Sequence, residues 1–461
     1  VVPTSGNPGC GTIGIIIRDA VMADIIDLKP ATRLRGLCVL PGDKSLSHRA
    51  IILGALSEGR CRIENLSTGE DVKSTIRVFR ALGVQITLAP DGESATVEGR
   101  GGRFDKPDTP LDFGNSATSM TLAAGILAAL PFETVLTGDE SLLKRPMEYI
   151  AEPLRKMGAD VTTSEGGRPP IIIRGGKLTG ITHKPEVPSA QTKSAIILAG
   201  LNATGATVIH ELKKTRDHTE RLLGNIAGRE AVWVDRIDQT VTVRGDGLPL
   251  KPFDLVIPGD PSSGAYPIAL ACLLKESSLT LPFIGINPGR IAFMRHLQAM
   301  GARVIITPDP HTSQATHGEP VGEIMVHSAG LKNVPIDPLR IPAMIDELPL
   351  LSVVACLSEN PWEIRGAGRL REKETDRIKT TVEMLSALGA EVEELEDGLS
   401  GPGGQKFTGG EVQGRGDHRI VMSAAIAGWC AKGPTRIHGA DCVKISYPGF
   451  FETMLDLVEH H

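Results

Sequence analysis

The sequence predicts an α/β protein of two domains, each built from three copies of a strand–helix–strand–helix–strand–strand unit. Three observations carry this. Helical stretches are of two kinds, which alternate strictly along the chain. Stretches of alternating apolar and polar residues follow the second kind, at the period of a half-buried strand. A length of 461 residues exceeds one ordinary core and suits two domains.

The first kind of helix is short and apolar all round: AIILGAL (50–56), TLAAGILAAL (121–130), SAIILAGL (194–201), AYPIALACLL (265–274), LPLLSVVACL (348–357) and IVMSAAIAG (420–428). Such helices must be buried on every side. The second kind is amphipathic and covers a sheet: residues 71–84, 147–159, 217–228, 289–302, 374–390 and 449–459. Gly83, Gly158, Gly301 and Gly389 follow these helices as caps that accept positive φ. Strand pairs come next, as in VQITLAPDGESATVEG (84–99), ADVTTSEGGRPPIIIRGG (159–176) and AVWVDRIDQTVTVRG (231–245). The unit recurs at a spacing of about 70 to 85 residues, and the last copy runs out of chain before its closing pair. FDLVIPGDPSS (253–263) opens the second half. The expected division is an arm plus a strand joining the second domain over 1–38, a first domain over 39–256 and a second over 257–461. Within the arm, GCGTIG (9–14) fits a dinucleotide-binding glycine pattern, but no strand precedes it, and it reads as a glycine-rich arm.

Composition removes several kinds of function. A formal net charge of −6 argues against a nucleic-acid partner, which calls for a basic excess. Aromatics at 3% leave little for stacking bases. Seven scattered cysteines, with no CxxC pair, suggest reduced thiols of a cytoplasmic protein and no metal site. No apolar run reaches the ~18 residues of a membrane span.

The chemistry concentrates where the apolar helices begin: PGDKSLSHR, GNSATS, PSAQTKS, PGDPSSG, IDELP and GDHR. A helix N-terminus presents unpaired N–H groups and a partial positive charge, so anions bind there. Ordinary capping accounts for the Ser and Asp residues. It does not account for Lys44, Arg49 or Arg419, because a cation there opposes the helix dipole at a cost of a few tenths to ~1 kcal/mol. A bound anion would offset that cost. Loops add Lys144 and Arg145, Arg216, and Arg371, Lys373 and Arg377. Singly each is an ordinary surface charge; jointly, in an acidic protein, they suggest substrates with several negative charges. Asp346 and Glu374 are the acid–base candidates, and a simple cap or an i,i+3 ion pair explains either equally well. His48 and His418 share the helix-start setting, where packing and catalysis are equally open.

Together, LPGDKSLSHRA, GNSATSM, TGDESLLKRPM, PSAQTKSAIILAGL, TRDHTERLL, PGDPSSGAYPIALA, IDELPLLSVVA, LREKETDRI and DHRIVMSAAIAG resemble, in order, the 5-enolpyruvylshikimate-3-phosphate (EPSP) synthase family over about residues 39 to 449. The resemblance implies the enolpyruvyl transferase fold, an inside-out α/β barrel in two three-repeat domains with the active-site cleft between them. It implies transfer of the enolpyruvyl group of phosphoenolpyruvate to the 5-hydroxyl of shikimate 3-phosphate, by a monomer that needs neither metal nor organic cofactor. It assigns shikimate 3-phosphate to Lys44, Ser45, Arg49, Ser189, Gln191, Arg216, Asp346 and Lys373. Phosphoenolpyruvate falls to Lys44, Asn115, Ala117, Arg145, Gln191, Arg377, His418, Arg419 and Lys444. Asp346 would receive the 5-hydroxyl proton, and Glu374, assisted by Lys44, would protonate the methylene carbon.

Two departures from the family pattern G-N-A-G-T-x-x-R matter: Ala117 stands for its glycine and Thr121 for its arginine. The Ala117 methyl would narrow the phosphoenolpyruvate pocket against the longer glyphosate, so weak inhibition is expected, and TRDHTE looks like bacterial forms of low glyphosate sensitivity. UDP-N-acetylglucosamine enolpyruvyl transferase shares the fold but carries a cysteine on the loop that here reads GDESLLKRPM. A binding protein that closes on an anionic metabolite without turnover is the alternative from another class.

Overall fold

Each of the predicted apolar and amphipathic stretches folds as a helix in the computed structural model, which describes residues 24–460 apart from 229 and 246. The reading of residues 9–14 lies outside the described residues. The apolar helices are α1 (Lys44–Leu56), α3 (Ala117–Leu127), α5 (Ala190–Gly200), α7 (Pro261–Leu273), α9 (Leu348–Leu357) and α11 (His418–Trp429). Between them come the amphipathic α2 (Glu70–Ala81), α4 (Glu148–Lys156), α6 (His218–Ile226), α8 (Ala292–Ala299), α10 (Arg377–Ala387) and α12 (Phe450–Leu457). As their composition requires, the apolar helices are interior: every α1 residue from Leu46 to Leu56 is buried, and so is the whole of α11. Where α3 crosses α5 the backbones nearly touch. A Cβ on Gly125 would stand 2.2 Å from the Ala195 carbonyl oxygen, so only glycine fits.

Among the described residues, six sheets enclose these helices. In the second and third units the strand before the apolar helix pairs in parallel with the strand after it: Leu111–Asp112 with Glu133–Thr137, and Thr182–His183 with Ala206–His210. Antiparallel strands complete each sheet, because a short turn can join only antiparallel neighbours.

The first and fourth units exchange their leading strands. Arg33–Leu37, which precedes α1, pairs in parallel with Ser278–Gly285 of the fourth unit. Asp254–Val256, which precedes α7, pairs in parallel with Glu58–Glu64 of the first. The sixth unit, short of strands, takes Ile25–Leu28 antiparallel against Thr435–His438. Buried apolar residues accordingly form two clusters, one from Leu46 to Ile257 and one joining Leu28–Leu40 to Ala265–Val458. Between the clusters the two connecting segments run side by side: Asp43 donates its N–H to the Pro258 carbonyl at 2.8 Å, and Asp260 to that of Pro41 at 3.0 Å. Among the described residues, no helix is long and apolar enough to cross a membrane.

Candidate active site

Burying an apolar helix fixes where its polar start must emerge. Side chains cap five of the six: Asp43 accepts from the Leu46 N–H, Ser116 from Ser119, Ser189 from Thr192, Asp260 from Ser262 and Asp417 from Arg419. The sixth, α9, has no side-chain cap; a 3-10 turn, Ile345–Glu347, leads into it. Residues at all six starts line one cavity of about 420 Å³: Lys44 and Ser45, Asn115 and Ala117, Ser189 and Gln191, Asp260 and Ser262, Asp346, and His418 and Arg419.

Loops from both halves complete the wall with Arg145, Arg216, Lys373, Glu374 and Arg377. Ion pairs cross between the halves. Arg216 Nη2 lies 2.9 Å from Asp346 Oδ2, and Arg145 Nη2 lies 3.4 Å from Glu374 Oε1. Lys373 Nζ and Arg377 Nη1 approach the other Asp346 oxygen at 3.3 and 3.4 Å. Arg377 also holds Glu374 at 2.5 Å and Asp417 at 2.8 Å. Lys44 Nζ meets Asp71 at 2.6 Å. Asp346 is therefore no helix cap. Glu374 does form the i,i+3 pair with Arg377, and it reaches across the cleft as well.

The cations set the protonation of the acids. Burial alone would raise the Asp346 carboxyl, but Lys373, Arg216, Arg419 and Arg377 outweigh it and hold it well below the ordinary range. Burial also opposes ionisation of Glu374, and Arg377 and Arg145 lead the cations that overcome it. His418 goes the other way: burial, then Arg419, keeps its imidazole neutral. His48 is a packing residue, with Nδ1 2.7 Å from Thr75 Oγ1, and it does not line the cavity.

Fourteen of the sixteen residues that the resemblance assigns to the two substrates or to proton transfer line the cavity. Arg49 and Lys444 stand apart. Arg49 lies one turn into α1, where its guanidinium donates to the Ser45 carbonyl, Thr219 Oγ1 and Ser194 Oγ at 2.7–2.9 Å. Lys444, on the 3-10 turn Ala440–Ile445, pairs with Asp441 at 2.8 Å and faces an adjoining groove.

Among the wall residues that sequence reasoning did not single out are Asp71, Tyr149, Arg290 and Arg369. Asp71 reads as an ordinary acid in the first turn of an amphipathic helix. Arg369 shares the cationic GRLREKETDR loop and was findable there. Arg290 has no local signal. It is buried, and it joins the caps of α1 and α7 by binding Asp43 at 2.5 Å and Asp260 at 2.8 Å. The Arg369 guanidinium carbon lies over the Tyr149 ring, 5.9 Å from its centroid.

Comparison with known proteins accords with this geometry. The family model described as EPSP synthase (3-phosphoshikimate 1-carboxyvinyltransferase) matches residues 28–454. A 3-phosphoshikimate 1-carboxyvinyltransferase of Koribacter versatilis is 44% identical over 94% of this chain and 99% of its own length. One from a Synechococcus species is 43% identical over 96% and 99%. Among solved structures, an EPSP synthase from Acinetobacter baumannii superposes with a TM-score of 0.81 at 37% identity, over 94% of this chain and 98% of its own. The enolpyruvyl transferase NikO from Streptomyces tendae, at 18% identity and a TM-score of 0.76 over 94% and 98%, shares the fold.

Proposed function

The chain belongs to the EPSP synthase family, and from that premise we propose how its cleft carries the enolpyruvyl group of phosphoenolpyruvate to the 5-hydroxyl of shikimate 3-phosphate. One observation carries the reading: the starts of six buried helices, five of them capped by side chains, together with loops from both halves bring Lys44, Asp346, Glu374, Arg145, Arg216, Arg377 and Arg419 to one cavity. Ser45, Ser189, Gln191, Arg216, Lys373 and Asp346 hold shikimate 3-phosphate, and Arg49 supports it by holding the Ser45 carbonyl. Lys44, Asn115, Gln191, Arg145, Arg377, His418 and Arg419 hold phosphoenolpyruvate, with Lys444 drawing anions toward the adjoining groove.

Glu374 is ionised among its cations and must gain a proton before it can give one. The anionic substrate supplies the means, because its charge offsets Arg145 and Arg377 and lets burial raise the carboxyl. Glu374, with Lys44, then protonates the methylene carbon. The 5-hydroxyl oxygen bonds to C2 as its proton passes to Asp346, which gives a tetrahedral intermediate. Loss of phosphate and return of a methyl proton to the Glu374 carboxylate restore the double bond, while the cations stabilise the departing phosphate. The same reading takes 39–256 and 257–461 as the two domains, with the described residues 24–38 serving the second, in a cytoplasmic monomer.

The test is phosphate release measured with each substrate alone and with both. Release should require both, and release from phosphoenolpyruvate alone would end the reading. We also propose weak inhibition by glyphosate, supported by the Ala117 side chain in the cavity wall. Ala117→Gly should lower the glyphosate inhibition constant by about tenfold or more, the worth of one methyl group in a shaped pocket. An unchanged constant would exclude the steric explanation.

A further inference from the structure

Lys193 lies two residues beyond Gln191 on α5, and it turns away from the cavity into the protein, with 4% of its surface exposed. Its ammonium meets two carboxylates, Glu211 Oε1 at 2.6 Å and Glu220 Oε1 at 2.5 Å. Burial opposes this charge, but Glu220 and Glu211 outweigh it and raise the Lys193 pKa. A buried three-charge cluster is a poor source of stability, since apolar residues of the same volume often serve as well or better. Its value must lie in what it positions.

The two carboxylates flank Arg216. On the near side, Glu211 Oε1 accepts from the Thr215 N–H at 3.3 Å and from Thr215 Oγ1 at 3.1 Å, which closes the loop immediately before Arg216. On the far side, Glu220 lies in the first turn of α6, which starts at His218. One ammonium thus ties down the chain before and after the guanidinium that reaches Asp346 across the cleft.

We propose that Lys193 is a positioning residue: the Glu211–Lys193–Glu220 cluster holds the 211–216 loop so that Arg216 meets shikimate 3-phosphate without first being ordered. The proposal rests on the reading that Arg216 contacts this substrate. Ordering a long side chain and its loop on binding costs enough to weaken affinity about two- to tenfold.

The test uses Lys193→Met, and Lys193→Met/Glu220→Gln in case the unpaired buried carboxylate prevents folding. Calorimetric titration with shikimate 3-phosphate should give a dissociation constant raised about two- to tenfold. KM for that substrate should rise with a smaller change in kcat. In an Arg216→Ala background the same substitutions should cost nothing further. Amide hydrogen exchange over 211–216 should accelerate in the Lys193 variants. Equal losses with and without Arg216, or unchanged exchange in that loop, would overturn the proposal. If Arg216→Ala alone leaves the dissociation constant unchanged, the assignment of Arg216 to shikimate 3-phosphate fails, and the exchange rates still decide whether Lys193 restrains the loop.

Discussion

Glu374 is held by Arg377 at 2.5 Å and Arg145 at 3.4 Å, which supply two different things. Arg377 belongs to the same half and comes from the start of α10, so its pairing is local. Arg145 comes from the other half, so the environment of Glu374 depends on how the halves meet. Glu374→Gln keeps the shape and removes the transferable proton. It should lower kcat by about 10²- to 10⁴-fold, as loss of a general acid does, and lower the melting temperature too, because Arg377 and Arg145 lose their carboxylate partner. Steady-state kinetics beside a thermal melt would check both. Lys44, Arg145, Asp346 and Arg419 were legible because each stands next to a helix start or a proline turn that the sequence marks. Arg49 carries the same mark, yet one further turn of helix points it into the protein at Thr219 and Ser194. Asp71 and Arg290 gain their meaning from partners far along the chain, Lys44 in the one case and Asp43 and Asp260 in the other. No local pattern announces such pairings.

At the scale of the helix, the twelve predicted stretches were readable because burial on all sides and burial on one side leave different patterns. The caps were readable for a similar reason: Asp43, Ser116, Ser189, Asp260 and Asp417 have the short acceptor side chains that a first turn needs. The turn Ile345–Glu347 was not, since the sequence runs without a break into α9 and the 3-10 geometry that turns Asp346 toward Arg216 leaves no compositional trace. Crossings between helices leave a fainter trace, usually a single small residue. Gly125 is such a residue, with the Ala195 carbonyl in the space its Cβ would need. Gly125→Ala should force α3 and α5 apart at a cost of about 1–3 kcal/mol, seen as a lower midpoint in urea. An unchanged midpoint would mean that the crossing yields freely.

For the whole molecule, the cavity acids also join the halves, so acid should act on the assembly. The Asp346 and Glu374 carboxyls titrate well below their ordinary values, so the stability they contribute is complete above about pH 4–5 and is lost as pH falls through the lowered values. Denaturant midpoints should therefore hold between pH 7 and 5 as far as these groups decide them, and decline in stronger acid. Asp346→Asn should make that decline shallower. A variant that loses stability on acidification as steeply as the parent would remove Asp346 from the linkage. The six-unit repeat was visible in the sequence. Of the exchange of strands between the first and fourth units, the expected division already gave the strand before residue 39 to the second domain, although by composition either strand satisfies either sheet. That exchange bears on how the chain is made. Arg33–Leu37 leaves the ribosome early, yet its parallel neighbour Ser278–Gly285 is translated only after α1 to α7. At ordinary elongation rates that is a wait of roughly 10–50 s. Throughout it Arg33–Leu37 is without its parallel neighbour, so this sheet can close only after the fourth unit has been made.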